Sequence, residues 1–352
     1  MAGTSDAQAM RRAVLLARRG PVGPNPRVGC VVLDANGEPV GEGWHEGAGT
    51  PHAEVVALQA AGERSWGGTV VVTLEPCAHH GRTPPCVALL LSTGVSRVVY
   101  GRPDPNPVAA GGAQVLRSAG LKVVELPDKG LRADVDRLPT SSMFAVAHGR
   151  PFVTWKFAAT LDGRSAARDG SSRWITGPSA RSDVHRRRSE CDAILVGTGT
   201  VLADDPHLTI RDDQGRPAAR QPLRAVMGLR DLSPGARVLD AAAPTVRLRT
   251  RDPRAALKQL WDLDSQHVWL EGGPKLAAAF LTAGLVDEVV AYLAPALLGA
   301  GPSAVGDLGL STIADALRLE LVDVAALDGD VRIIARTRGY PKEDRTDVHR
   351  DR

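Results

Sequence analysis

Residues of the kinds that zinc prefers as ligands fall within one stretch of the chain, between positions 50 and 86. His52 is followed two residues later by Glu54, and Cys77 follows a proline and precedes a second cysteine, Cys86. One histidine and two cysteines give the three protein ligands that a catalytic zinc site keeps, with the fourth corner left for water. His-x-Glu combined with Pro-Cys and a second Cys is typical of zinc deaminases, in which the Glu is a proton shuttle and not a ligand.

This combination is suited to hydrolytic deamination. A bound zinc ion lowers the pKa of its water toward neutrality. Glu54 would take the proton of that water and return it to the departing amine. An alternative is a structural zinc site with four protein ligands, in which His79 or His80 would be the fourth.

The spacing of the two cysteines departs from the general signature. That signature has two residues between its cysteines, whereas eight separate Cys77 from Cys86. Gly81 and the pair Pro84-Pro85 favour a fixed loop here, and we expect Arg82 at the mouth of the pocket. A plain cytidine or tRNA deaminase is therefore disfavoured.

The same stretch carries a resemblance to a known family. HAE at positions 52–54 and TLEPCAHHGRTPPC at positions 73–86 resemble the bifunctional deaminase and reductase of riboflavin biosynthesis. The resemblance covers about residues 6–338. It implies an α/β chain with a cytidine-deaminase-like layered domain followed by a dihydrofolate-reductase-like domain that binds NADPH.

The resemblance also implies an activity and its residues. The first domain would deaminate 2,5-diamino-6-(5-phosphoribosylamino)pyrimidin-4(3H)-one, and the second would reduce the ribosyl side chain to ribityl with NADPH. One zinc ion would be held by His52, Cys77 and Cys86, with Glu54 as the catalytic residue. The deaminase substrate would meet Asn25, His45, Arg82, Asp104 and Asn106. The cofactor would meet Ala158, Trp174, Thr200, Asp204, Gly273, Pro274, Lys275, Leu276, Ala277, Ala278 and Ala279. The reductase substrate would meet Ser172, Arg188, Leu208, Arg211 and Glu271.

Several of these positions also have plainer interpretations. Asp104 and Asn106 precede prolines and could simply form turns. Trp174 could be a core aromatic residue. The run Arg186-Arg187-Arg188 could be a solvated helix face, although guanidinium groups match phosphate geometry well.

The glycine-rich turn at positions 271–274 lies between a predicted strand and a predicted helix. Backbone N–H groups at Gly272 and Gly273 could approach a phosphate at the helix N-terminus. Lys275 stands where the family would have a small or hydroxyl residue, which keeps open a reductase half without activity. Arg230 is a candidate to meet the 2′-phosphate of the cofactor.

Strand and helix patterns alternate along the chain, which predicts α/β layers. We expect a deaminase domain over residues 1–146, a reductase domain over residues 147–339 and a disordered charged tail over residues 340–352. A helix is predicted from His52 to Gly62. Residues two apart on a helix diverge by about 200°, so His52 and Glu54 must both use its first turn.

Composition excludes some classes of function. The net charge of +3 and the aromatic content of 4% do not supply the basic, aromatic surface of a nucleic-acid deaminase. Four cysteines suit a reducing cytosol, and no uninterrupted apolar run approaches eighteen residues. We therefore expect a cytoplasmic enzyme with a small-molecule substrate and no nucleic-acid or membrane partner, and the resemblance adds a homodimer. A zinc module without enzymic activity would leave Glu54 without a purpose.

Overall fold

The computed structural model describes residues 2–20, 26–47, 49–79, 84–126, 128–136, 138, 141–211, 216–218 and 220–337. The chain divides into two compact units, Met1–Gly149 and Arg150–Arg352. This division falls after Gly149, whereas the sequence analysis placed the end of the first domain at residue 146. Asn25, Arg82 and the predicted tail lie outside the described residues.

Apart from α5, the helices and strands of the first unit follow one another in the order expected from the sequence. Its described elements are α1 Ala2–Ala17, β1 Gly29–Leu33, β2 Pro39–Trp44, α2 Ala53–Ala61, β3 Thr69–Val72, α3 Cys86–Ser92, β4 Arg97–Tyr100, α4 Gly112–Ser118, β5 Lys122–Glu125, α5 Lys129–Asp136 and α6 Ser141–His148. Its strands form one sheet in the order β2-β1-β3-β4-β5. β1 is antiparallel to β2 and β3, while β3, β4 and β5 are parallel. β3, the strand that precedes Cys77, therefore lies at the centre of the sheet.

Side chains of this sheet alternate between two buried faces, as the period of a strand requires. One face packs against α2, α3 and α4 and includes Cys30, Val32, Val70, Val72 and Val98. The other face packs against α1 and α5 and includes Val31, Leu33, Val71 and Val99. The unit thus has three layers, with the sheet between two layers of helices.

Two glycines in β2 allow α2 to lie very close to the sheet. A Cβ atom at Gly41 would be 2.2 Å from the carbonyl oxygen of Ala57, and one at Gly43 would be 2.4 Å from that of Ala53. Any larger residue would collide with the helix backbone. These glycines therefore set the distance of α2, and of the zinc-ligand candidate at its start, from the sheet.

The second unit is built on a larger mixed sheet. Its described elements are β6 Phe152–Thr160, α7 Pro178–Arg188, β7 Ala193–Gly197, α8 Thr198–Asp204, β8 Leu223–Met227, β9 Thr245–Leu248, α9 Pro253–Asp262, β10 His267–Leu270, α10 Pro274–Thr282, β11 Glu288–Ala294, β12 Leu319–Leu327 and β13 Asp330–Thr337. The strand order is β12-β13-β11-β6-β10-β7-β8-β9. The six strands from β11 to β9 are parallel, and β13 and β12 continue the sheet in antiparallel pairing.

This sheet is also covered on both faces. α9 and α10 pack on one face, where Trp155, Leu195 and Leu270 are buried. α7 and α8 pack on the other, where Ile194, Trp269 and Tyr292 are buried. Successive residues of β7 and of β10 point to opposite faces of the sheet, because side chains alternate along a strand.

Three elements were not predicted from the sequence. The start of α8, Thr198-Gly199-Thr200, combines residues of low helix propensity, so the sequence does not predict a helix there. Among the side chains of α5 whose burial is described, the buried apolar ones are Leu131 and Val135, one turn apart, which is a weak helical signal. β12 is exposed along most of its length, so its apolar residues follow no one-sided alternation. In the described part of the chain, no helix has the length and apolar character needed to cross a membrane.

Candidate active sites

Three side chains of the first unit meet in a geometry that suits zinc. The ligand atoms of His52, Cys77 and Cys86 all lie within 4.8 Å of one another. Nδ1 of His52 is 3.1 Å from Sγ of Cys86 and 3.6 Å from Sγ of Cys77. Tetrahedral zinc, with Zn–S of about 2.3 Å and Zn–N of about 2.0 Å, separates such atoms by about 3.6 Å. The three residues therefore fit the ion with little rearrangement.

Secondary structure brings these residues together. His52 is the N-cap of α2, with φ −70° and ψ 158°, and Cys86 is the first residue of α3. The backbone N–H of Cys86 donates to Sγ of Cys77 at 3.4 Å. Two helix N-termini thus meet the segment that follows β3, and their partial positive charge favours thiolate ligands.

Hydrogen bonding within the cluster favours a thiolate. A hydrogen bond from the Cys86 thiol lowers the pKa of Cys77 to about 4. The same bond raises the pKa of Cys86. The hydrogen bond with Cys77 also raises the pKa of His52. The cluster therefore holds negative charge readily, which is what a divalent cation requires.

Glu54 is a buried carboxyl group beside this cluster. It lies in the first turn of α2 and is only 4% exposed. Burial raises its pKa, and the charge of His52 and a hydrogen bond with Cys86 act in the opposite direction. A carboxyl group whose two protonation states are brought closer in energy at neutral pH is suited to accept and return a proton.

Among the described substrate candidates of this unit, His45 contacts the cluster, and Asp104 and Asn106 form local turns. Nδ1 of His45 is 3.1 Å from the carbonyl oxygen of Pro51, so Nδ1 carries the hydrogen and Nε2 is the acceptor. The rings of His45 and His52 meet edge to face at 5.5 Å. The backbone N–H of Asn106 donates to Oδ1 of Asp104 at 2.9 Å, and Oδ1 of Asn106 accepts from the N–H of Val108 at 3.1 Å.

Asp104 and Asn106 therefore do form the turns that their prolines suggested. Asp104 belongs to the loop that reaches the zinc-ligand cluster, since the N–H of Ala78 donates to the carbonyl oxygen of Ala109 at 3.1 Å and Ala109 packs against Cys77 and Cys86. Burial is the main reason why the pKa of Asp104 is raised, and the charges of Glu75 and Cys77 add to it.

In the second unit, an ion pair occupies the predicted substrate site. Nε and Nη2 of Arg188 donate to the two carboxylate oxygens of Glu271 at 2.6 and 2.5 Å. The indole N–H of Trp269 donates to the same carboxylate. Arg188 is therefore not a solvated surface residue. Its neighbour Arg187 likewise donates to Asp183, at 3.1 Å.

Lys156 is a candidate that sequence analysis left without a role. Burial lowers its pKa, the charge of Arg188 acts in the same direction, and the charge of Glu271 opposes both. Its Nζ lies 5.9 Å from the centroid of the Tyr292 ring. Tyr292 in turn donates its hydroxyl hydrogen to Asp183 at 2.7 Å. The signal in the sequence was a lone lysine inside an apolar strand.

A glycine-lined edge of the sheet suits a dinucleotide phosphate. α10 follows β10, its N-cap is Gly273, and no described side chain caps it. A Cβ atom at Gly273 would meet nothing within 4 Å, whereas one at Gly272 would be 2.5 Å from Leu276. Backbone N–H groups at a helix N-terminus are thus open to an anion. This fits a phosphate-bearing cofactor at the carboxyl end of the parallel strands.

The other predicted positions of this unit differ in exposure. Trp174 is 70% exposed, with the Arg181 guanidinium 4.4 Å above its ring, so it is not a core aromatic residue. Leu208 is buried and has φ 53°, so its side chain is not exposed for contact with a ligand. The half-buried predicted positions are Ala158, Thr200, Pro274, Leu276 and Ala279, the exposed ones are Ser172, Asp204, Arg211 and Lys275, and Ala277 and Ala278 are buried.

The fold and the sites together define a zinc-type deaminase unit, followed by an α/β unit. That second unit contains the ion pair of Arg188 and Glu271 and a helix N-terminus at Gly273 that is suited to bind a phosphate. Residues 4–102 match the family model described as cytidine and deoxycytidylate deaminase zinc-binding region. Residues 151–333 match the model of the RibD C-terminal domain.

Curated relatives cover both units. The chain is 50% identical over 317 residues to riboflavin biosynthesis protein RibD of Mycobacterium tuberculosis (strain H37Rv), spanning 89% of this chain and 91% of that protein. It is 40% identical to RibD of Escherichia coli (strain K12), spanning 92% and 96%.

Solved structures of similar proteins superpose on this chain over nearly its full length. Acinetobacter baumannii RibD, form 1, superposes with a TM-score of 0.86 at 38% identity, covering 95% of this chain and 99% of that one. A structure from Thermotoga maritima, described as a diaminohydroxyphosphoribosylaminopyrimidine deaminase/5-amino-6-(5-phosphoribosylamino)uracil reductase, has a TM-score of 0.84 at 34% identity and covers 96% and 100%.

The chain belongs to the RibD family of riboflavin biosynthesis proteins. It is a bifunctional enzyme with a cytidine-deaminase-like unit and a RibD-type reductase unit, as the sequence predicted.

Proposed function

We propose that the first unit removes by hydrolysis the 2-amino group of 2,5-diamino-6-(5-phosphoribosylamino)pyrimidin-4(3H)-one. The observation that carries this proposal is the convergence of His52, Cys77 and Cys86 within 4.8 Å, with the buried carboxyl of Glu54 beside them. The Thermotoga maritima neighbour, described as a deaminase of this compound class, supports the choice of substrate.

The residues of this site would divide the work as follows. His52, Cys77 and Cys86 would hold zinc, which supplies a water of lowered pKa when it is bound. Glu54 accepts a proton from the attacking water and delivers it to the leaving amino nitrogen. The ring carbon gains a C–O bond, its C–N bond breaks and ammonia leaves. Since Glu54 is buried, exchange of that proton with bulk solvent is limited.

We propose that the second unit reduces the ribosyl side chain of the deaminated product to ribityl. NADPH would supply the hydride to C1′. The bond between C1′ and the ring oxygen breaks, and that oxygen takes up a proton. Lys156 is a candidate to give this proton, since its half-buried amine interacts with the charges of Arg188 and Glu271 and its pKa is lowered by burial. This arrangement favours an active reductase over a silent second unit.

Arg188 and Arg211 would divide the recognition of the substrate. Nε and Nη2 of Arg188 are occupied by Glu271, so only its Nη1 edge is available to the substrate. Arg211 is exposed and can turn its guanidinium toward a phosphate. We therefore assign the 5′-phosphate mainly to Arg211.

The cofactor would lie across the carboxyl ends of β10, β7 and β8. Its pyrophosphate would meet the N-terminus of α10. Nη2 of Arg230 lies 3.3 Å from the position of a Cβ atom at Gly199, and the guanidinium of Arg247 donates to the Arg230 carbonyl at 2.8 Å. These two arginines would favour the 2′-phosphate of NADPH over the 2′-hydroxyl of NADH. Assembly as a dimer remains a prediction of the resemblance, and a cytoplasmic location remains a prediction from the cysteine content and apolar pattern of the sequence.

The proposal is tested by following NADPH oxidation and ammonia release by the purified chain supplied with the diaminopyrimidine phosphate. We expect both in wild type and neither in Cys77→Ser or Glu54→Gln. Both variants should still oxidise NADPH when they are given the deaminated compound. Full deaminase turnover in Glu54→Gln would refute the shuttle role, and ammonia release without NADPH oxidation in wild type would refute the reductase assignment.

A further inference from the structure

The carboxylate of Glu75 joins two segments that both border the zinc-ligand cluster. Its Oε2 accepts the backbone N–H of Asp104 at 3.1 Å. Its Oε1 accepts the N–H groups of Gly111 and Ala113 at 3.2 and 2.9 Å. The side chain is buried, so these three donors take the place of water.

The backbone places Glu75 where the loop departs from the sheet. Its N–H donates to the carbonyl oxygen of Arg102 at 2.9 Å, which continues the pairing of β3 and β4 beyond their last residues. The loop of residues 103–111 starts at this point and ends at α4. Glu75 therefore holds the loop at both ends, while the Asp104 and Asn106 turns shape its interior.

Close packing links the same loop to the cysteine segment. The N–H of Ala78 donates to the carbonyl oxygen of Ala109 at 3.1 Å, and Ala109 packs against Cys77 and Cys86. A Cβ atom at Gly112 would lie 1.7 Å from the carbonyl oxygen of Pro76. A shift of the loop would thus change what lies over the metal site.

We propose that Glu75 is a positioning residue for substrate recognition in the deaminase unit, holding Asp104 and Asn106 in place beside the zinc ligands. This inference rests on the proposed function, in which Asp104 and Asn106 contact the pyrimidine substrate. Glu75 itself is committed to backbone groups. Its effect is therefore on affinity for the substrate, not on proton transfer by Glu54.

The substitution Glu75→Gln tests this role with almost no change of volume. A glutamine has one oxygen, so whichever way the amide turns, its NH₂ group faces backbone N–H donors on one side. Keeping two bonds to Gly111 and Ala113 would release Asp104. We expect KM for the diaminopyrimidine phosphate to rise about tenfold, with kcat within about twofold of wild type. Zinc per chain should be unchanged.

Two further variants serve as the negative and the positive control for the KM measurement. Glu63→Gln changes an exposed glutamate of the same unit and should leave KM, kcat and zinc content at wild-type values. Asp104→Asn removes a proposed substrate contact directly and should raise KM with Glu75 intact. Reduction of the deaminated compound serves as an internal control, since it depends on the second unit.

The outcomes separate the two proposals. Absence of deamination in wild type would overturn the proposed function itself. A raised KM in Asp104→Asn with an unchanged KM in Glu75→Gln would overturn the role of Glu75 and leave the proposed function standing. A rise in KM in both, with zinc retained, supports the inference.

If Glu75→Gln is poorly folded or lacks zinc, amide hydrogen exchange of the wild-type protein decides. The amides of Asp104 and Ala113 should exchange much more slowly than that of Val108, which donates to an Asn106 side chain at an exposed position. Slow exchange of these two amides supports the role of Glu75 in holding the loop of residues 103–111. Exchange of Asp104 and Ala113 at the rate of Val108 would overturn it.

Discussion

Arg188 and Glu271 form a bidentate ion pair in the reductase unit, with both N–O distances at or below 2.6 Å. Burial opposes the ionised form of Glu271, but the charge and hydrogen bonds of Arg188, the charge of Lys156 and the bond from Trp269 outweigh it and lower its pKa to about 2. Glu271 is thus a fixed negative charge throughout the physiological range, and it offsets two neighbouring cations.

Glu271→Gln should destabilise the second unit and impair reduction. Arg188 and Lys156 would lose their shared anion in a buried place, a change that costs about 3 kcal/mol of unfolding free energy. Urea unfolding measures the loss, and NADPH oxidation with the deaminated compound measures the activity. Asp262→Asn is the control, because its ion pair with Lys258 is exposed and should be worth less than about 1 kcal/mol. Equal losses in both variants would contradict the special weight given to Glu271.

Lys156→Met should abolish reduction while deamination continues. Methionine fills nearly the same volume but has no proton to give, and general acid catalysis is worth about 10²- to 10⁴-fold in rate. NADPH oxidation with the deaminated compound would fall by that factor, and ammonia release from the diamino compound would not change. Lys258→Met, at an exposed position, should have no effect on either. Reduction at more than about a tenth of the wild-type rate in Lys156→Met would exclude proton donation by this residue.

Arg230→Ala should weaken the preference for NADPH over NADH. Loss of one charged hydrogen bond to the 2′-phosphate would raise KM for NADPH by about ten- to a hundredfold. KM for NADH should not change, since NADH lacks that phosphate. Arg249→Ala is a matched control, because Arg249 is exposed and pairs with Asp231 at 2.6 Å. If the ratio of KM for NADPH to KM for NADH stays at the wild-type level, Arg230 does not bind the 2′-phosphate.

The second unit should lose stability as the pH falls from about 6.5 to about 4. Burial lowers the pKa of His267 from 6.5 to about 4, and its Nε2 lies 2.8 Å from Oγ1 of Thr154. In this window the unfolded chain binds a proton at His267 that the folded chain does not, so protonation favours unfolding. The full contribution is about 3 kcal/mol.

Urea unfolding at several pH values measures this dependence. His267→Gln should flatten it, whereas His148→Gln, at an exposed position, should not. A wild-type profile parallel to that of His267→Gln would show that His267 does not cause the loss of stability.

Much of the fold followed from the sequence because its helices and strands have clear apolar patterns. The sequence predicts a helix from Pro178 to Arg188 and a strand from His267 to Leu270, and the structure has both elements with these bounds. β12 could not be found in this way, since its stability comes from backbone pairing with β13 and not from a buried face. The apolar pattern of the N-terminal segment predicts a helix from Asp6 to Arg19, but α1 begins at Ala2 and ends at Ala17.

The site residues likewise fall into those that could be predicted from the sequence and those that could not. His52, Cys77 and Cys86 could be proposed as ligands because their residue types and order limit the chemistry. The partners of Arg188 could not be foreseen, because Glu271 lies more than eighty positions away along the chain. Glu75 lay within a motif, but its backbone donors come from a loop whose path only the structure reveals.

The glycines of β2 have a consequence for genetics. Because Gly43 lets the backbone of Ala53 approach closely, Gly43→Ala would push back the helix that begins beside His52 and loosen the metal site without touching a ligand. In a cell that depends on this chain for its flavins, such an allele would give a riboflavin requirement that added zinc partly relieves. Cys77→Ser would give the same requirement with no relief.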